Sequence, residues 1–342
     1  YDGRSRNLGL KQSENTVLRL ATPEDGEIIV KDIIRGEVVF QNSELDDLIL
    51  LRSDGSPTYH LCNVVDDYEQ KVTTVIRGED HLSNTPRQIH IQNALGYPSL
   101  EYAHLPLVLG PDKKRLSKRH AATSLEEYQS DGYLDTAILN TLARLGWSKG
   151  DQEVFYIKDL IKNFNINDVQ KAGAVFDVSK LDWLNTQHLA NLTLDELKNK
   201  LRPYLENFNI NLEDHFDEDL LISSMRSSSN TLSGIASDLK PYYLDEIEYD
   251  DKAISKFVDD VGINILSDLK EILSNIFDWN EKNLDTALKN YQSEHELPIP
   301  KVNQPIRIAL TGSTRSPSLG LTLVLFGKDK SLDRISKLLI KN

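Results

Sequence analysis

Short β-branched runs fill the first part of the chain, and helical periodicity takes over later. Thr16-Val17-Leu18-Arg19-Leu20, Ile28-Ile29-Val30 and Val38-Val39-Phe40 predict short strands. Asp46 to Leu51 runs into the turn signal Ser53-Asp54-Gly55-Ser56-Pro57. Val72-Thr73-Thr74-Val75-Ile76 reads as a buried strand of an α/β sheet, ending at Arg77-Gly78-Glu79-Asp80. A helix should follow, capped by Ser83 or Asn84, with Pro86 in its first turn, Ile89, Ile91 and Leu95 on its apolar side, and Gly96 stopping it. Tyr102 to Leu109 predicts another strand. After residue 124 the apolar spacing is helical over Thr136–Leu145, Asp195–Leu205, Asp217–Met225, Asp251–Val261, Leu266–Phe277, Lys282–Tyr291 and Ser331–Ile340. Ser124 with Glu127 and Thr193 with Glu196 have capping-box spacing. The prolines of Pro298 to Pro305 predict a loop. The fold class is therefore α/β plus all-α, with boundaries expected near 55 and 190. No 20–50-residue repeat suggests a solenoid or propeller.

Charge refines this picture. The net formal charge of −14 is unevenly distributed. Residues 1–150 hold 17 basic and 22 acidic side chains, residues 151–300 hold 14 and 29, and residues 301–342 hold 8 and 2. The acid is thus concentrated in 151–300. Basic islands remain at the end and in Pro111–His120, where a polyanion could bind despite the total; a solvated basic surface is the plainer alternative. With Cys62 the only cysteine, an intrachain disulfide and a zinc site of several cysteines are both excluded. Low cysteine usage fits a reducing cytosol. No window approaches a membrane-spanning apolar run.

Three stretches could carry chemistry. Arg115-Leu116-Ser117-Lys118-Arg119 follows a strand and the turn Gly110-Pro111-Asp112. Several cations on a loop suit a polyphosphate, and they can neutralise charge on a leaving pyrophosphate. Tyr59 and Asn63, four residues apart, share a face if their segment is helical; they are either pocket groups or buried polar groups satisfied by backbone. Arg77-Gly78-Glu79-Asp80-His81 lies at the carboxyl end of a predicted strand, where open α/β sheets bind ligands. Arg77 there can pair bidentately with a carboxylate or phosphate, or form an ordinary exposed ion pair. Asp66-Asp67 reads more readily as solvated acid than as a Mg²⁺ site. Walker, HExxH, GxSxG and zinc-spaced patterns are absent from the sequence.

In this order and spacing, the stretches resemble glutamyl-tRNA synthetases, class I enzymes of bacterial type. The resemblance runs through SDGSPTYHLCNVVDD (Ser53–Asp67), VIRGEDHLSNTPRQ (Val75–Gln88), AHLPLVLGPDKKRLSKRH (Ala103–His120), DGYLDTAILNTLARLGWS (Asp131–Ser148), VFDVSKLDWLN (Val175–Asn185) and PIRIALTGSTRSPSL (Pro305–Leu319). It implies the C-terminal half of a class I Rossmann catalytic domain with the remnant of an acceptor-end insertion, followed by a helical anticodon-binding region. The expected domains are 1–54 for the insertion remnant, 55–105 for the Rossmann half, 106–190 for a stem-contact region with the KMSKS-type loop, and 191–342 for the anticodon-binding region.

The implied activity is ATP-dependent attachment of L-glutamate to tRNA(Glu) through glutamyl-adenylate, with Mg²⁺. Tyr59, Asn63 and Arg77 match glutamate-pocket positions. Asp80, Val108, Arg115, Leu116, Ser117, Lys118 and Arg119 match the ATP site, with Lys118, Arg115 and Ser117 as catalytic candidates. Arg307, Arg315, Lys328 and Lys330 are the expected tRNA contacts. The implied partners are tRNA(Glu), L-glutamate and ATP, with no membrane; the protein is expected to be a cytoplasmic monomer.

Three departures stand out. The family's His-Ile-Gly-His motif is absent, so the chain alone is expected to be inactive as a ligase. Ser5 stands where some relatives place a zinc-binding cysteine, so no zinc is expected. Arg115 stands where lysine is usual, and Lys114 is an alternative cation. Two other readings remain at this stage. One is a non-discriminating synthetase that also charges tRNA(Gln), suggested by Ser227-Ser228-Ser229 where discriminating relatives carry an arginine. The other is a catalytically inert tRNA-binding module.

Overall fold

The computed structural model describes the chain apart from Asp2, Asn7, Gln12, residues 117–123 and Asn342. It divides into two compact units, Tyr1–Ala122 with Leu139–Asp177, and Thr123–Ile138 with Val178–Asn342. Each is taken separately below.

The strands of the first unit are β1 (Leu18–Arg19), β2 (Glu27–Asp32), β3 (Gly36–Gln41), β4 (Ile49–Leu51), β5 (Thr74–Gly78), β6 (Glu101–Leu105), β7 (Val108–Leu109) and β8 (Ala174–Val175). A mixed four-stranded sheet has the order β3-β2-β6-β5. β2 and β3 form an antiparallel hairpin, while β6 runs parallel to both β2 and β5. The sheet therefore takes strands from both sides of residue 55. Helix α1 (Tyr59–Glu69) precedes β5, and α2 (Thr85–Leu95) links β5 to β6 as a βαβ unit. Gly96 ends α2 in the left-handed conformation, φ +71°, as the sequence predicted.

Two expectations fail here. Leu95 is 45% exposed; the buried residues of α2 are Thr85, Pro86, Gln88, His90, Ile91 and Gln92. A polar inner face on a helix defeats a reading that looks for apolar stripes. The strand predicted from Tyr102 to Leu109 is split in two, because Pro106 cannot donate to a ladder. The core beneath the sheet is Ile34, Ala103, Trp147, Phe155, Leu160 and Val169.

The second unit is helical. Its main helices include Val178–Ala190, Leu194–Glu206, Glu218–Met225, Leu232–Tyr243, Asp260–Ser274, Glu281–Glu294, Ile299–Thr311, Leu319–Phe326 and Lys328–Lys341. Leu197, Leu201 and Leu205 recur every fourth residue, and all are buried. Both predicted capping boxes form: the hydroxyls of Ser124 and Thr193 accept from the backbone N–H of Glu127 and Glu196, whose carboxylates accept in return.

The predicted loop Pro298–Pro305 is instead the start of helix Ile299–Thr311. Pro298 is its extended N-cap and Pro300 lies in the first turn, where no N–H is needed. Pro305 is tolerated deeper in the helix and is buried. The predicted helix Asp251–Val261 stops at Phe257, because the side chain of Asp259 caps a new one by accepting from Gly262 N–H. The backbone of Phe257 comes so close that a Cβ on Gly262 would lie 2.1 Å from its carbonyl oxygen.

Candidate active site

The parallel register of β5 and β6 places Arg77 opposite His104, and that of β2 and β6 places Asp32 opposite Tyr102. Three strand ends thus bring Asp32, His104 and Arg77 together, at the edge where such sheets bind ligands. Asp32 and His104 are buried. The Asp32 carboxylate accepts from the backbone N–H groups of Ile34, Arg35 and His104, and from His104 Nδ1 at 2.6 Å. These bonds outweigh the desolvation of Asp32 and hold it below the usual carboxylate range.

Burial is the largest effect on His104 and pushes its pKa down, leaving the ring neutral. A neutral ring that donates from Nδ1 must accept at Nε2. Arg77 Nε lies 3.1 Å from that nitrogen and donates to it. Arg77 Nη2 donates to Thr85 Oγ1 at 2.8 Å and Gln88 Oε1 at 2.9 Å, so α2's polar inner face completes the cradle. The Tyr102 ring lies 6.0 Å below the guanidinium. Nη1 has no hydrogen bond among the described residues. Burial lowers the Arg77 pKa, opposed by Tyr102, Tyr59 and Asp67, and arginine's high intrinsic pKa keeps it charged.

α1 supplies the facing side. Tyr59, Asn63 and Asp67 recur every fourth residue and share one helix face. Tyr59 is 52% exposed, and Asn63 is half-buried. The sequence pattern reads Asp67, with Asp66, as a solvated acid. It is instead half-buried, its pKa raised by burial and pulled back by Arg77. Extending the four-residue step from Tyr59 and Asn63 would have found it.

The other residues of the strand-end motif have separate tasks. Glu79 accepts from the backbone N–H of Leu107 at 3.1 Å and pairs with Arg35. Asp80 pairs with Arg115 at 2.9 Å. Gly78 leaves room for that carboxylate, since a Cβ there would lie 2.5 Å from Asp80 Oδ1 and the carboxylate would have to shift. Val108 carbonyl accepts from Leu116 N–H at 2.8 Å, and the turn between them presents Arg115 beside Asp80. Ser117, Lys118 and Arg119 lie outside the described residues. In the helical unit, Arg315 is exposed and lines a cleft of about 600 Å³ with Asp238, Lys240, Tyr249, Thr311 and Ser313. Arg307 donates to Ser316 Oγ and the Pro317 carbonyl, Lys328 to the Ile276 carbonyl and Lys330 to the Tyr242 carbonyl.

Comparison with known proteins decides the family. The family of class I tRNA synthetases (E and Q), catalytic domain, matches residues 4–183, and an anticodon binding domain matches 188–339. A glutamate–tRNA ligase from Thermodesulfovibrio yellowstonii is 40% identical over 99% of this chain and 74% of its own length. The chain belongs to the glutamyl-tRNA synthetase family.

Solved structures agree with this placement. A glutamate tRNA ligase from Elizabethkingia meningosepticum, crystallised in complex with its amino acid, superposes with a TM-score of 0.81 at 29% identity, over 99% of this chain and 74% of that one. The glutamate-tRNA synthetase of Elizabethkingia anophelis gives 0.78 at 30%, over 100% and 74%. The α/β and helical architecture read from the sequence is thus that of a class I catalytic domain with a helical anticodon domain. The sequence pattern singles out Arg77 as a candidate. It missed Asp32, His104, Thr85 and Gln88, which hold Arg77 in place.

Proposed function

We propose that this chain carries the glutamate pocket, the ATP-facing loop and the tRNA-binding helices of a glutamate–tRNA ligase. The observation that carries the reading is Arg77, half-buried and fixed at the end of β5, with Nη1 left without a partner among the described residues. A guanidinium held on two sides is pre-organised for a carboxylate. Tyr59 and Asn63 on α1 line the same pocket, and the fixed positive charge favours glutamate over neutral glutamine.

In the reaction, the glutamate carboxylate attacks the α-phosphorus of ATP and pyrophosphate leaves; the terminal ribose of tRNA(Glu) then displaces AMP. Asp80, Val108, Arg115 and Leu116 form the described part of the ATP site, with Ser117, Lys118 and Arg119 continuing it. Lys118 and Arg115 neutralise charge on the departing pyrophosphate. Arg115 pairs with Asp80 and would exchange that carboxylate for phosphate to act on ATP. Among the described residues no group of three or more acidic, His or Cys side chains could hold a metal ion. No protein ligands are therefore assigned to the Mg²⁺ that class I synthetases use with ATP.

On this reading residues 1–54 are the insertion remnant, 55–105 the Rossmann half, 106–190 the stem-contact region and 191–342 the anticodon-binding region. Of the four cations expected to meet tRNA, Arg315 is the leading one. Arg307, Lys328 and Lys330 already bond acceptors within their own unit and serve more to shape the surface. No helix among the described residues is long and apolar enough to cross a membrane.

Titration of L-glutamate into the ¹⁵N-arginine-labelled chain should shift the Arg77 side-chain resonance, and L-glutamine should not. A tRNA(Glu) transcript should bind with affinity that falls steeply with salt, and Arg315→Glu should weaken it about tenfold. Absence of both responses would overturn the reading. Binding of tRNA(Gln) with equal affinity would favour a non-discriminating enzyme.

A further inference from the structure

Asp32 and His104 are placed for a task that burial alone does not require. Asp32 already accepts three backbone N–H bonds, so it does not need the imidazole for its own satisfaction. Position 104 is fully buried, and an apolar side chain would fill it with no polar atom to satisfy. An imidazole there, bonded at both nitrogens, has one geometric result. Asp32 accepts the hydrogen bond from Nδ1–H and so leaves Nε2 as an acceptor, 3.1 Å from Arg77 Nε.

Thr85 and Gln88 hold only Nη2 and would allow the guanidinium to pivot about that corner. The bond to His104 adds a second fixed point and sets the plane. Thr85 Oγ1 lies 3.2 Å from Nε2; it accepts from Arg77 and reaches the His81 carbonyl at 3.4 Å, which leaves Nε2 to the arginine.

We propose that Asp32 and His104 are positioning residues for amino-acid recognition: Asp32 fixes the His104 tautomer, and His104 fixes the orientation of the Arg77 guanidinium for its carboxylate ligand. The inference rests on the glutamate reading of Arg77 given above. It deepens that reading with two residues that touch no substrate.

Nuclear magnetic resonance of the 1–342 chain, labelled with ¹⁵N at histidine and arginine, tests it. In the wild type His104 should show a protonated Nδ1, a bare Nε2 and a scalar coupling to Arg77 across the Nε–H···Nε2 bond. His104→Asn keeps a donor near Nδ1 for Asp32 but has no acceptor at Nε2. It should speed exchange of the Arg77 Nε–H proton at least tenfold and weaken L-glutamate binding roughly tenfold. His104→Gln puts a carbonyl oxygen near Nε2 and should recover most of both losses, although its bond to Asp32 is gone. A purely structural role predicts the opposite ranking, because asparagine preserves the contact with the buried acid. Absence of the coupling, protonation at Nε2, or equal behaviour of the two variants overturns the proposal. The wild-type coupling and the glutamine variant decide it even if the asparagine variant does not fold. If the coupling is present but L-glutamate leaves Arg77 unmoved, the glutamate reading falls instead, and the pair stands only as a device that orients an arginine.

Discussion

Two arginines taken out of water, one in each unit, show how burial of a guanidinium can serve different ends. Arg334 of the helical unit is 2% exposed, donates to the backbone carbonyls of Leu310 and Leu244, and lies 4.7 Å from the Phe326 ring. Arg77 of the α/β unit donates to a histidine, a threonine and a glutamine and keeps Nη1 without a partner among the described residues. Burial lowers both pKa values, that of Arg334 to about 10, so electrostatics does not separate them. Their acceptors do. Backbone carbonyls at helix ends are orphans that any helical bundle must satisfy, so Arg334 closes the fold. Side-chain acceptors around Arg77 had to be supplied specifically for it. The same contrast runs through the surroundings: Leu197, Leu201, Leu266 and Leu269 fill the helical core, whereas Asp32, Thr85, Gln88 and His104 are buried around Arg77.

The largest expected effect breaks the comparison on the stability side. Arg334→Met strands the Leu310 and Leu244 carbonyls in an apolar core, and should cost about 3 kcal/mol in urea unfolding. Glutamate-induced shifts at Arg77 should survive wherever the chain remains folded. Arg77→Met should do the reverse. It strands the buried His104 Nε2 and Gln88 Oε1 but also relieves the desolvation of a charge, so it should cost only about 1 kcal/mol of stability, while weakening glutamate binding by about 2 kcal/mol, or roughly thirtyfold. Equal stability losses in the two variants would show that Arg77, too, is a structural clamp.

Acid sharpens the comparison further. Burial depresses the pKa of His90, His104 and His188 below the ordinary value of 6.5. A depressed histidine stabilises the fold fully above 6.5, and that contribution is lost as pH falls from there through the folded-state pKa. The depressed Asp32 and Asp47 add losses only as pH drops below about 3.8. Urea midpoints should therefore begin to fall between pH 6.5 and 5.5, before carboxylates titrate, by at most about 1 kcal/mol per buried histidine. His104→Gln should remove one such share. A midpoint that is flat down to pH 5 would contradict the neutral ring on which the Asp32–His104–Arg77 geometry depends.

What could be read from the sequence follows from how local each signal is. The strand ending at Arg77, the Gly96 stop and both capping boxes are written within a few neighbouring residues, and the structure has them. Helix Leu232–Tyr243 was not predicted, its apolar pattern interrupted by Gly234 and Pro241. The prolines of 298–305 misled because proline is a breaker only where an N–H is required, and two of the three lie at the helix start. The cradle of Arg77 could not be read at all. Asp32 and His104 are 72 residues apart and meet only through strand register, which no local pattern specifies. Tyr59 and Arg77 were legible as candidates because they lie inside motif runs; their geometry came from residues outside those runs.

The smallest expected effect on stability is the most informative about that cradle. Gln88 is buried in α2, its Oε1 accepts from Arg77 Nη2, and its Nε2 has no hydrogen-bond partner among the described residues. Gln88→Leu removes one hydrogen bond to a charged group and, at the same time, an unsatisfied buried donor. The lost bond and the relieved desolvation oppose each other, and leucine fills nearly the same volume, so unfolding free energy should change by less than about 0.5 kcal/mol. The guanidinium, however, loses one of the two acceptors at Nη2 and keeps Thr85 and His104. Glutamate binding should weaken about threefold, well short of the Arg77→Met loss, with no shift in the urea midpoint. A helix face assembled for packing alone would show the opposite: the apolar substitution would stabilise the fold and leave the ligand untouched. Comparing Gln88→Leu with Arg334→Met in one set of unfolding and titration curves therefore asks whether polar burial at the strand ends serves the ligand, as apolar burial in the helical unit serves the fold.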